Sequence, residues 1–120
     1  MIAVIFEVKP KSGCQAQYLD IAASLKPLLA DAKGLISIER FQSLTDPEKI
    51  LSLSFWESEE AVTNWRNTEL HRLAQKQGRE SIFAYYQLSV ANVIRQYGLT
   101  DRQQTPTDSL AYHAENKNTK

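Results

Sequence analysis

One cysteine, one methionine and four glycines among 120 residues leave several kinds of chemistry without material. The lone Cys14 closes no internal disulfide and cannot found a cysteine-rich metal site. That usage fits a reducing compartment, so a cytoplasmic location is the expectation. The glycines form no phosphate-cradling loop, and no His, Asp or Glu spacing reads as a ligand set. No cofactor and no metal are therefore expected. Charge of one sign is also missing: 14 basic residues balance 14 acidic ones. A net charge of zero offers no bulk attraction to nucleic acid or to an anionic membrane. No run nears the roughly 18 apolar residues of a membrane span. The opening MIAVIFEVKP lacks the basic region and cleavage site of a signal peptide and reads as a strand. Internal repeats are absent as well.

What is present is an ordinary globular composition, 42% hydrophobic and 23% charged, in a chain long enough for one real core. Ile2, Val4, Phe6 and Val8 alternate with Ala3, Ile5 and Glu7, the period of a β-strand. Ser12 and Gln15 fit a capping box. Tyr18, Ile21, Ala22, Leu25, Leu28, Leu29 and Ala32 then repeat at helical spacing. Pro27 should kink or restart that helix, and Gly34 should stop it. Leu35 to Gln42 and Ile50 to Trp56 are two strands, and the Asp46-Pro47 turn between them predicts a hairpin.

The stretch from Phe55 to Glu80 holds both tryptophans and His71, one of two histidines. Ser58 caps a helix whose first turn carries Glu59 and Glu60. Ala61, Val62 and Trp65 give it a narrow apolar face. Asn67-Thr68 predicts a weak break, with a second helix carrying Leu70, Leu73 and Ala74. Arg72, Lys76 and Arg79 form a basic line that reads as a solvated face. The segment Ile82 to Tyr86 is ambiguous, and Leu88, Val90 and Ile94 predict a fourth strand running on through Arg95 and Tyr97. From Thr100 the chain turns polar, with Leu110 and Tyr112 as its only large apolar anchors; a mobile tail is the plain expectation. The division is a domain over residues 1–99 and a tail over residues 100–120.

The order β-α-β-β-α-β defines an α+β, ferredoxin-like unit. It is a four-stranded antiparallel sheet with both helices on one face. Ala3, Ile5, Leu51, Leu53 and Phe55 imply apolar residues on both faces, so face-to-face homodimerisation is expected.

The runs FWESEEAVTNW, RNTELHRLAQKQGRE and ANVIRQYG resemble the antibiotic biosynthesis monooxygenase domain over roughly Met1 to Gly98. That resemblance implies a dimeric α/β barrel. For some members it implies oxidation of aromatic polyketides or quinols by dioxygen without a bound cofactor, for others heme degradation. The polyketide-oxidising members place an Asn four residues before a strand-end Trp; here Trp56 matches the Trp and Ser52 replaces the Asn. The heme-degrading members follow a helical Trp, matched by Trp65, with an iron-ligating His ten residues on. Gln75 stands there, and Glu7 lies near an expected first-strand Asn, so heme degradation is disfavoured.

A cofactor-free oxidation of a small aromatic or quinol-type molecule by O2 needs a base, an oxyanion partner and an aromatic pocket between sheet and helices. His71 is the base candidate, because imidazole titrates near neutral pH. Arg72 or Arg95 are candidate oxyanion partners. Trp56, Trp65, Phe83, Tyr85 and Ser52 are candidate pocket residues. Each has a plainer reading: the tryptophans as core, His71 as a surface group, and Arg95 as a partner of Glu39 or Glu7. The alternative function is a non-catalytic binding or structural dimer module of the same fold.

Overall fold

The computed structural model describes residues 1–76 and 82–109, the side chains of residues 69–76 excepted. Its elements are β1 (Ile2–Pro10), α1 (Gln15–Ala30), β2 (Leu35–Gln42), β3 (Ile50–Trp56), α2 (Glu59–Lys76) and β4 (Phe83–Asn92). This is the expected ferredoxin-like order. The sheet runs β2-β3-β1-β4, and every pairing is antiparallel. β1 and β3 are central because the two βα crossovers carry β2 and β4 to the outside.

Register decides which side chains meet the helices. Ile2, Val4, Phe6 and Val8 lie across from Trp56, Ser54, Ser52 and Ile50. Ile2, Val8, Ile50 and Trp56 are buried, packed with Tyr18 and Leu29 of α1 and with Ala61 and Val62 of α2. The opposite face carries Ile5, Leu51, Leu53 and Phe55, all half-buried. Both faces of the central strands are thus apolar, as their sequence predicts.

The ends of the elements have specific causes. Ser58 caps α2 as expected, its Oγ accepting from the Ala61 amide at 3.2 Å. In the β2–β3 hairpin Ser43 donates its amide to the Lys49 carbonyl at 3.0 Å. Lys9 reaches the hairpin loop from β1, with Nζ 3.0 Å from Asp46 Oδ2. That hydrogen bond raises the Lys9 pKa and holds the Asp46 carboxyl below its ordinary value.

Five expectations are corrected. The Ser12 capping box does not form: Cys14 stands at the N-cap with no side-chain bond, because Gly13 turns the chain at φ 81 and Cys14 donates to the Lys11 carbonyl. Pro27 sits inside α1 without restarting it; the ring removes one N–H, the one that would reach the Ala23 carbonyl, and the helix continues to Ala30 on its other bonds. α2 is one helix through Asn67-Thr68. Thr68 Oγ1 donates back to the Asn64 carbonyl at 3.2 Å rather than capping a new helix. β4 ends at Asn92, not at Tyr97. Its neighbour β1 begins at Ile2 opposite Asn92, and past that pair, among the described residues, the Val93 amide still donates to the Met1 carbonyl at 2.9 Å before the pairing ends. Leu110 and Tyr112 lie outside the described residues.

Gly34 does not stop α1, which ends at Ala30 with Asp31 as its C-cap; it turns the chain into β2 at φ +84, where a Cβ meets the Ala61 Cβ at 2.6 Å. Its carbonyl also accepts from the Glu57 amide at 2.8 Å, so the start of α2 is set against this turn. Gly34→Ala should lower stability by about 2 kcal/mol, from the left-handed backbone and the overlap together. In denaturant melts, adding Ala61→Gly should restore the steric part only. A Gly34→Ala protein as stable as the parent would mean that neither constraint operates.

Candidate functional site

The core is three clusters rather than one: around Ile2, Trp56 and Val62, around Val8, Tyr18 and Ile50, and around Ile21, Leu25 and Ile82. Where they would meet, the helix-facing side of β3 reads Ile50, Ser52, Ser54, Trp56, all buried. Two serines occupy positions where branched apolar residues would fill the interior. The space they leave is a cavity of about 70 Å³ between the sheet and both helices. By the same measure it holds several waters, less than a typical ligand pocket. It adjoins a broader groove of about 560 Å³ between α1 and β2, sharing Ala22, Leu29, Ile38 and Arg40 with it.

Four sequence-predicted residues come together here: Ser52, Trp56, Trp65 and Phe83 all line the cavity. Trp56 is 1% exposed, and its indole stacks on that of Trp65 with centroids 6.2 Å apart and planes at 28°. Trp56 Nε1 donates to Ser54 Oγ at 2.8 Å, a fully buried pair. That indole N–H is committed, so Trp56 is a fixed wall rather than a donor to a ligand. Phe83 meets Tyr18 edge-on at 6.0 Å and Phe6 at 6.4 Å. Ser52 lies across from Phe6 on one side and Arg40 on the other. Its hydroxyl has no hydrogen-bond partner among the described residues, which leaves it the polar group available to a guest.

Two candidates are elsewhere. Tyr85 is 44% exposed and its hydroxyl donates to Gln87 Oε1 at 2.7 Å. The register of β4 slips between Lys9 and Pro10, so that Phe83 pairs with Pro10 while Tyr85 pairs with Lys9. That bulge inverts the alternation and sets Phe83 and Tyr85 on opposite faces. Arg95 lies beyond the end of β4, exposed and away from the cavity, and Glu7 is met by Lys49 at 3.6 Å instead. The side chains of His71 and Arg72 lie outside the described residues; their backbone is in α2.

Sequence reasoning missed Arg40 and Arg66, both of which line the cavity. Signals existed for each. Arg40 keeps the parity of Ile38 in β2, and Arg66 follows Val62 by one helical turn. Among the described residues no three His, Cys, Asp or Glu side chains gather as metal ligands.

Sheet and helices define the chain first as a ferredoxin-like α+β domain with an aromatic-walled cavity between its layers. The family follows from comparison with known proteins. The sequence profile described as antibiotic biosynthesis monooxygenase matches residues 1–77, and the chain belongs to that family. It is 45% identical over 93 residues to the jasmonate monooxygenase ABM of Pyricularia oryzae, an alignment covering 78% of this chain and 43% of that protein. The chain therefore spans less than half the length of that relative. It is 31% identical over 94 residues to the uncharacterized protein YqjZ of Bacillus subtilis, covering 78% of this chain and 80% of the other. Among solved structures, Rv0793 of Mycobacterium tuberculosis superposes with a TM-score of 0.70 at 14% identity, over 81% of this chain and 98% of that one. PA3566 of Pseudomonas aeruginosa gives 0.66 at 16% identity, over 78% and 93%. At such identities the structural likeness supports the fold alone.

Proposed function

We propose that this protein is a monooxygenase that oxidises a small aromatic or quinol-type molecule with O2 in the cavity beneath α1 and α2, without a bound cofactor. The observation that carries the reading is the enclosed space walled by Trp56, Trp65 and Phe83 with a free Ser52 hydroxyl, in a member of a monooxygenase family. The name of the Pyricularia relative, a jasmonate monooxygenase, supports the reaction class.

Such a reaction asks little of the protein. The substrate loses a proton, and its carbanion supplies both electrons to dioxygen. One oxygen atom ends on the substrate carbon and the other leaves as water, so that an activated CH2 becomes C=O. Apolar walls favour this by excluding water and holding the reactants together. In this proposal His71 takes the proton.

The working unit is proposed to be a homodimer joined through the open face of the sheet, where Ile5, Leu51, Leu53 and Phe55 are half-buried. An obligate interface of this kind covers on the order of 2,000 Å² or more. Sedimentation at micromolar concentration that finds only a 13.6 kDa species counts against it.

Oxygen uptake in the presence of a panel of hydroquinones, naphthols and anthrones tests the activity. Consumption of one O2 per product by protein free of flavin and metal is the expected result. A ligand that raises the melting temperature with no oxygen uptake across the panel favours a binding module instead.

A further inference from the structure

The cavity carries a charge pattern that its hydrophobic lining does not require. Among the described residues its only ionised side chains are Arg40, from β2, and Arg66, from α2; no Asp or Glu lines it. The lysines at the hairpin are matched with acids, Lys9 with Asp46 and Glu48 and Lys49 with Glu7. Neither Arg40 nor Arg66 has an ion pair or side-chain hydrogen bond among the described residues. Two arginines from separate elements thus line one apolar space without a counter-charge among the described residues. Both are exposed, and Arg40 stands where the cavity joins the α1–β2 groove.

From this we infer that the site selects an amphipathic carboxylate, its apolar body in the cavity and its carboxylate head held by Arg40 and Arg66. The inference rests on the cavity being the substrate site. A planar carboxylate matches the forked donors of a guanidinium, two parallel N–H···O bonds to one group. A phosphate head is a poorer fit. The cavity has no glycine-rich loop or lysine among its described walls, and phosphate cradles draw on such groups. A cationic ligand meets two like charges. The groove gives the ligand its room, about 560 Å³ along α1 with Lys26 and Glu39 on the outer walls.

The test is calorimetric titration of the full chain under nitrogen with naphthalene-2-acetate, its methyl ester and 2-(2-naphthyl)ethylammonium. On the parent protein the acid should bind about tenfold or more tightly than the ester, as expected for a charge-assisted contact, and the ammonium compound should bind least. Arg40→Gln and Arg66→Gln should each weaken the acid several-fold and leave the ester unchanged. The double variant should bind acid and ester alike. Lys33→Gln removes an exposed cation that does not line the cavity and should keep the preference.

Equal affinity for acid and ester on the parent overturns the inference, as does binding of none of the three probes. So does a loss in Lys33→Gln equal to that in Arg40→Gln, which would reduce the effect to a general field. Acid selectivity that depends on the arginines, without oxygen uptake on any substrate, leaves the carboxylate site standing and removes the monooxygenase reading. Oxygen uptake on neutral quinols with no acid preference does the reverse.

Discussion

Ser52→Leu should make the protein more stable and at the same time stop its turnover. Ser52 is 7% exposed, and its hydroxyl faces the cavity with no partner among the described residues. Leucine there adds apolar carbon to a space of about 70 Å³ already walled by Phe6, Trp56 and Leu88. Filling it should contribute about 1–2 kcal/mol, from the buried carbon gained and the void removed, and raise the melting temperature by several degrees. The same atoms occupy the place of the substrate ring, so turnover should fall by about 100-fold or more, a stability–activity exchange of the usual kind. Ser54→Leu is the informative contrast. It removes the acceptor 2.8 Å from Trp56 Nε1, and an indole N–H left buried without a partner costs about 1–3 kcal/mol. A Ser52→Leu protein that is stabilised yet fully active would show that the reaction happens elsewhere. Loss of stability at Ser52 comparable with Ser54→Leu would show that the void does not accept the side chain.

The difference between those two serines also marks how far the sequence could be read. Strict alternation in β1, the Ser58 cap and the Asp46-Pro47 turn are local signals, and each produced its element in the expected place. Trp56 and Trp65 were legible as neighbours because one ends a strand and the other sits two helical turns along the next element. The failures within the sheet share a cause: they depend on a partner strand. Tyr85 leaves the cavity because β1 and β4 slip by a residue at Pro10, and nothing in the run FAYYQ announces a bulge. Arg95 leaves the sheet because the β1–β4 ladder ends at the Ile2–Asn92 pair, three residues before it. Arg40 joins the site because register sets it across from Ser52. Thr68 reads as a cap in isolation, but its hydroxyl bonds back to the Asn64 carbonyl and the helix runs on past it. Chemistry carried by a single element is readable from sequence, whereas a cavity wall assembled across three strands and two helices emerges only once register is known.

Replacing His71 by Ala should lower kcat by about 100-fold or more, the usual contribution of a positioned general base. His71 enters the proposal through its chemistry: the substrate must be deprotonated before it reduces dioxygen, and imidazole, with an ordinary pKa of about 6.5, accepts protons near neutral pH. It is carried by α2, the helix that also presents Val62, Trp65 and Arg66 to the cavity. The sign of the pH dependence follows. Below its pKa the imidazole is protonated and cannot act as a base, so the rate should fall on the acid side with an apparent pKa of about 6 to 7. His71→Ala should flatten that limb. Two further readings separate a base from a residue that only supports the helix. Added imidazole should restore part of the rate, and a more acidic phenol, already ionised at pH 7, should be affected much less than a weakly acidic one. Denaturant melts of the variant should differ from the parent by about 0.5 kcal/mol or less, as at surface positions. A rate within about twofold of the parent, with the acid limb intact, removes His71 from the reaction and assigns the proton to another acceptor. Activity abolished by EDTA and restored by a metal ion would instead remove the cofactor-free mechanism itself.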